Sequence, residues 1–227
     1  MLADTKIPSL KDVARIKIII VGNSGVGKTT LLKNFLNGGV TREKYGTTVG
    51  TVSETKIVSV RSRDIPLTIW DTAGEEKHRC ITPQFYRNSA AVLVLYDVTN
   101  RQSFDDLTKW LLDVKTRTES TTSIVIIGNK SDLSSRVVTH YEGCAFADRY
   151  ECVFRETSAL NDDDIVTVFE ELVIKICDKI ERGLLPTAKH GVHYNNDAPR
   201  LLLAAPDLPK SPDLPAAPAL PQARGCC

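Results

Sequence analysis

The run Gly22-Asn23-Ser24-Gly25-Val26-Gly27-Lys28-Thr29 has the residue types and spacing of a phosphate-binding loop, G-x-x-x-x-G-K-[ST]. Gly25 and Gly27 let the backbone curl so that N–H groups converge on phosphate oxygens, helped by the N-terminus of a following helix. Ser24, Gly25, Val26, Gly27, Lys28, Thr29 and Thr30 are therefore the candidate polyphosphate ligands. Lys28 supplies a point charge for the β- and γ-phosphates, and the Thr29 hydroxyl suits Mg²⁺. A second group is Trp70-Asp71-Thr72-Ala73-Gly74, in which Asp71 ends an apolar run and can reach the same cation. Gly74 can bring a backbone N–H close to a γ-phosphate. A third is Asn129-Lys130-Ser131-Asp132. An ionised Asp132 only accepts, so it suits the N1–H and exocyclic amine of guanine. Adenine would turn a lone pair toward it, which is strong discrimination. A fourth, Glu156-Thr157-Ser158-Ala159-Leu160, offers the Ala159 N–H to a guanine oxygen.

These groups need elements that hold them together. Arg15–Val21 is a buried strand that ends in Gly22, and Thr29–Leu36 continues as a helix. Thr55–Val60 and Leu67–Trp70 form a strand pair, joined by a turn around Arg63-Asp64. Residues 90–98 and 123–128 are unbroken apolar runs, and 152–156 is a shorter one. Helical periodicity marks Ser103–Thr116 and Asp164–Glu181, the latter with Ile165, Val168, Phe169, Leu172, Ile176 and Ile180 on one stripe. Apolar runs without alternation are strands buried on both faces, so the class is α/β with a mostly parallel sheet between helices.

Composition narrows the function. The chain has 227 residues, with 29 Lys and Arg against 28 Asp and Glu, so a nucleic-acid binder is not expected. No run reaches the roughly 18 apolar residues of a membrane span, and residues 1–17 lack a secretory h-region. The six cysteines form no C-x-x-C pair, which favours reduced thiols over a zinc or disulfide framework. Eight of the eleven prolines lie at or after Pro186, and from Ala204 onward there is no aromatic or β-branched residue. Such a segment cannot offset its ordering entropy by burial. The expected organisation is an N-terminal extension, 1–13, one domain, 14–183, and a disordered Pro-rich tail, 184–227.

Taken in order and spacing, the four groups resemble the Ras superfamily of small GTPases, and its Rab branch in particular, over residues 14–182. Trp70–Gly74 and Tyr96-Asp97-Val98-Thr99 are similar to Rab sequences. The resemblance implies a P-loop fold with a six-stranded, mostly parallel sheet flanked by five helices. It implies GTP or GDP with Mg²⁺, bound at the strand C-termini. Asn129, Lys130, Asp132, Ser158, Ala159 and Leu160 would contact the base, and Thr29, Thr48 and Asp71 the cation. By match, Thr48 within Tyr45-Gly46-Thr47-Thr48 is the switch threonine, and Tyr45 also lies against the nucleotide. Loss of the γ-phosphate releases this loop, which turns hydrolysis into a signal. A monomer is implied, served by an exchange factor, a GTPase-activating protein, an escort protein, a GDP-dissociation inhibitor and effectors.

Three positions depart from the family. Glu75 stands where the family has the glutamine that orients the attacking water. With Lys28 it is the candidate catalytic pair. A carboxylate only accepts and brings negative charge near a triphosphate, so slow hydrolysis and a bias toward the GTP state are expected. Ser53 falls where an aromatic normally packs with the residues matching Trp70 and Phe85. Val40 or Thr41 falls where an aromatic often flanks guanine. The pair Cys226-Cys227 resembles the Rab signal for double geranylgeranylation. One lipid binds weakly and the tail charges nearly cancel, so the second lipid must complete the anchor. Prolines at every third residue from 206 to 221 suit a polyproline spacer. The expected site of action is the cytoplasmic face of an intracellular membrane, in vesicle traffic. Two rivals remain: a GTP-loaded scaffold without useful hydrolysis, and a P-loop ATPase or kinase, which Asp132 opposes.

Overall fold

The computed structural model describes residues 9–38, 51–72, 83–186 and 188–195. Its sheet contains β1 (Val13–Gly22), β2 (Thr51–Val60), β3 (Arg63–Thr72), β4 (Ala91–Asp97), β5 (Ser123–Asn129), β6 (Val153–Glu156) and β7 (Val192–Tyr194). The main path runs β2-β3-β1-β4-β5-β6, and β7 pairs separately with β1. Only β2 and β7 run antiparallel to their neighbours. The helices are α1 (Lys28–Asn37), α2 (Pro83–Tyr86), α3 (Arg101–Asp105), α4 (Leu107–Arg117), α5 (His140–Arg149) and α6 (Asp162–Glu181).

Alternation along the central strands builds two cores. Ile16, Ile18 and Ile20 of β1, with Leu93 and Leu95 of β4, face α1 and α6. There Phe35 stacks on Phe169 with ring centroids 3.8 Å apart. Ile19 and Val21, with Val92, Val94 and Tyr96, face α4 and α5. All six residues of the expected α6 stripe are buried.

Four features differ from the sequence expectation. The β2–β3 turn falls on Arg61 and Ser62, not on Arg63-Asp64. Both have positive φ, 52° and 59°, the conformation of a two-residue hairpin loop whose twist matches the strands. The expected helix 103–116 is broken at Asp106 into α3 and α4. A seventh strand joins the expected six, and the described α-helices number six because of that break. Finally, the domain does not stop at 183. Residues 184–195 return to the sheet, where Val192 and His193 pair with Ile16 and Arg15 of β1. Gly191, at φ 80°, passes against the backbone of Ser89 and Ala90, where a Cβ would collide. Leu185, Val192 and Tyr194 are buried in the larger core, and the Tyr194 hydroxyl donates to Leu185 O at 2.5 Å. That burial explains why this stretch is ordered despite tail-like composition.

Candidate nucleotide site

The candidate ligands among the described residues converge at the C-terminal ends of β1, β3, β4, β5 and β6. The loop 22–27 leaves β1 and enters α1 through Gly27, which sits in the left-handed region at φ 99°. Gly22, at φ 142°, lies so close to Leu95 O that no side chain fits there. Lys28 is buried, and its ammonium donates to Gly22 O and Asn23 O at 2.9 Å each. The loop therefore holds the cation over its own open end.

Thr29 and Asp71 meet as their types suggest, the Thr29 hydroxyl donating to Asp71 Oδ2 at 2.6 Å. Asp71 is 2% exposed, and its Oδ1 has no hydrogen-bond partner. Burial pushes its carboxyl above the ordinary range, against the Thr29 hydrogen bond and the Lys28 and Lys33 charges. A buried carboxylate oxygen without a partner is an incomplete arrangement, which a hard divalent cation would complete. Among the described residues no group of three or more His, Cys, Asp or Glu could hold a metal. One carboxylate and one hydroxyl suit a cation that takes its other ligands from phosphate and water.

On the base side, Asn129 is fully buried. Its amide donates to Val26 O at 2.8 Å, and its Oδ1 accepts from Ala159 N at 3.0 Å. The Ala159 N–H, expected to face guanine, thus has a protein partner. Its carbonyl accepts from Asn34 of α1. Asn129 also explains Gly27, since a Cβ there would strike the Asn129 amide. Lys130, at φ 66°, pairs its ammonium with Asp97 Oδ2 at 2.6 Å. Ser158 is buried, and its hydroxyl accepts from Leu160 N at 3.0 Å. Asp132 is exposed at the rim. Asn34 carries part of this site and no motif reading singled it out, and Asp97 entered only within the family-like run 96–99, with no site role assigned. Their signal is only three-dimensional, because each works on a residue far away in sequence.

On the β2–β3 side of the sheet, register places Ser53 of β2 opposite Trp70 of β3. Trp70 and Phe85 pair at 5.7 Å between centroids. Lys17 of β1 donates to Phe85 O and Arg87 O at 2.7 Å each and lies over the Trp70 ring. Tyr45, Thr48, Gly74, Glu75, Val40, Thr41, Cys226 and Cys227 lie outside the described residues.

A model of the Ras family matches residues 17–178. The chain belongs to the Ras family. Its relatives place it in the Rab branch. The Ras-related protein Rab-4A of Danio rerio is 37% identical over 189 residues, covering 82% of this chain and 88% of its own. The Ras-related protein Rab-4 of Dictyostelium discoideum is 35% identical over 189 residues, with 83% and 92% covered. The Ras-related protein Rab-18 of Lymnaea stagnalis is 37% identical over 188 residues, with 82% and 92% covered. The chain is thus a Rab-like GTPase of vesicle trafficking that binds guanine nucleotide and hydrolyses GTP.

Proposed function

We propose that this GTPase is a slow, membrane-anchored switch that dwells in its GTP state. The observation that carries the rate is Glu75, directly after Gly74. A glutamine can accept from the attacking water and donate toward the phosphoryl group, whereas a carboxylate does only the first and repels the triphosphate. Ser24 to Thr30 hold the phosphates, with Lys28 neutralising charge on the β- and γ-oxygens. Asn129, Lys130 and Asp132 receive the base, and Ser158, Ala159 and Leu160 close it in. Tyr45, Thr48 and Gly74 complete the phosphate side by match to the family.

Mg²⁺ fits the residues present, and Thr29, Asp71 and Thr48 would hold it. When bound it neutralises developing charge on the phosphoryl oxygens. The Asp71 oxygen without a partner supports this assignment. Cys226 and Cys227 carry the lipids that hold the protein on the cytoplasmic face of an intracellular membrane. An exchange factor, a GTPase-activating protein, an escort protein and a GDP-dissociation inhibitor serve the cycle. Ser53 in place of an aromatic beside Trp70 and Phe85 gives effectors a smaller contact.

Single-turnover hydrolysis tests the rate. Glu75→Gln is expected to accelerate it about tenfold or more, and the purified wild type should retain mostly GTP. Equal rates for both proteins would overturn the slow-switch reading. Complete inertness of wild type with normal GTP binding would favour the scaffold reading, since Glu75 would then have ended hydrolysis. For the anchor, replacing both Cys226 and Cys227 with serine should move the expressed protein from the membrane to the soluble fraction.

A further inference from the structure

Asn23, the second residue of the phosphate loop, reaches away from the phosphates. Its amide donates to Asp106 Oδ2 at 2.8 Å, and its Oδ1 accepts from the indole N–H of Trp110 at 2.7 Å. Asn23 is 6% exposed and Asp106 8%. The other carboxylate oxygen of Asp106 takes the Lys109 ammonium at 2.5 Å. Asp106 is the residue at which α3 breaks from α4, and Trp110 lies one turn later on α4. The same Asn23 presents its backbone carbonyl to the Lys28 ammonium at 2.9 Å. One residue therefore joins the helix break to the cation that meets the phosphates.

We propose that the Asn23–Asp106–Trp110 bridge positions the phosphate loop, fixing the Asn23 carbonyl that seats Lys28 and so setting how long nucleotide stays bound. The argument is one of donors and acceptors. The indole N–H only donates and the ionised carboxylate only accepts, so the residue between them must do both. A carboxamide does so with the size and planarity needed. A carboxylate at 23 would still accept from Trp110 but would press a second negative charge against Asp106 in a buried setting, where like charges are costly. A hydrophobe would leave the Asp106 oxygen and the indole N–H short of a partner. Burial, the largest influence on Asp106, disfavours its charge. The hydrogen bonds from Lys109, Asn23 and Gln102 outweigh it and hold its carboxyl below the ordinary range. The bridge is thus built around an ionised Asp106. Asn23 is a positioning residue: it touches neither phosphate nor base with its side chain.

The inference rests on Lys28 being a phosphate ligand, and the experiment separates the two. Full-length protein is loaded with GDP carrying a fluorescent ribose label, and release is followed after a chase with unlabelled GDP at fixed Mg²⁺. Asn23→Asp is expected to release nucleotide at least tenfold faster than wild type. Asp106→Asn keeps an amide oxygen for Asn23 but loses the charge that holds Lys109, so release should quicken, though by less than in Asn23→Asp. The double variant, Asn23→Asp with Asp106→Asn, should return to within threefold of wild type. The new amide then donates to the new carboxylate, restoring complementarity with the polarity reversed. A defect that does not run through the Asn23–Asp106 contact would not be rescued by the second change. Trp110→Phe should speed release several-fold and supplies the test where Asn23→Asp fails to fold. Release unchanged in Asn23→Asp or Trp110→Phe, or a double variant as fast as Asn23→Asp alone, overturns the proposal. Wild type that binds no labelled GDP overturns the phosphate reading beneath it as well.

Discussion

Alanine in place of Asn129 strips two buried backbone groups of their partners. Ala159 N–H loses its acceptor at 3.0 Å, and Val26 C=O loses its donor at 2.8 Å. Each orphaned buried group costs about 1–3 kcal/mol, so the sum is roughly 2–6 kcal/mol before any cavity is counted. For a domain of this size, about 1 kcal/mol moves Tm by roughly 2–4 °C, which predicts a fall of about 12 °C from the middle of both ranges and of at least about 4 °C from their lower ends. The loss must be read on nucleotide-free protein, because bound GDP adds its own stabilisation through mass action. Asp132→Ala is the control. Asp132 is exposed, so its loss should alter guanine preference while leaving nucleotide-free unfolding within about 0.5 kcal/mol of wild type. Calorimetric unfolding of the three proteins decides the matter. If Asn129→Ala melts within 2 °C of wild type without nucleotide, the side chain is a ligand only and the strut argument is wrong.

Asp71 gives a pH signature. Its carboxyl is raised in the folded state, so in cation-free protein its contribution is fully present below the unfolded value and is lost as pH rises through the folded one. Asp71→Asn should therefore raise the cation-free Tm at pH 7 and weaken Mg²⁺-dependent nucleotide retention; a lowered Tm contradicts the reasoning. Lys17, drawn down from 10.5 to about 8 by burial, behaves in the opposite sense, gaining stability as pH rises from about 8 toward 10.5. Lys17→Met should abolish that gain in a pH series of melting curves and shift the Trp70 emission, and a parallel pH profile would refute it. Truncation after Gly183 removes the buried side chains Leu185, Val192 and Tyr194. At about 1.5–3 kcal/mol each it should cost several kcal/mol in urea unfolding, whereas truncation after Asn195 should cost nothing measurable.

Where one physical signal dominated, the fold was readable before any coordinates. The runs at 90–98 and 123–128 are apolar because strands in the middle of a parallel sheet are covered twice, and the α6 stripe follows from helical period alone. The phosphate loop was readable because its chemistry is local: glycines, lysine and hydroxyl act within eight residues. What escaped was set at a distance. Val192-His193-Tyr194 is too short for a period and sits in tail-like sequence; its order comes from β1 and from the close pass of Gly191. The break at Asp106 is invisible in a helical pattern because its carboxylate is recruited by Asn23, 83 positions earlier. Asn129 read as a base ligand, and only the packing shows it to be a tie between two loops. The hairpin turn at Arg61-Ser62 uses positive φ in residues that do not advertise it.

The return of the chain beside β1 has a practical corollary. Asn195 N donates to Asp12 O at 2.6 Å, so both ends of the described domain meet at one pole. From Val13 to Gly22 the strand spans ten residues, or about 33 Å at roughly 3.3 Å per residue, before it reaches the phosphate loop. A short peptide could splice residue 195 to residue 9 and let new termini open in the surface turn at Glu119–Thr122. A fluorophore or affinity handle joined at residue 9 or residue 195 would be rooted at the far end of β1, about 30 Å along the strand from the phosphate loop, leaving loading and hydrolysis assays unencumbered.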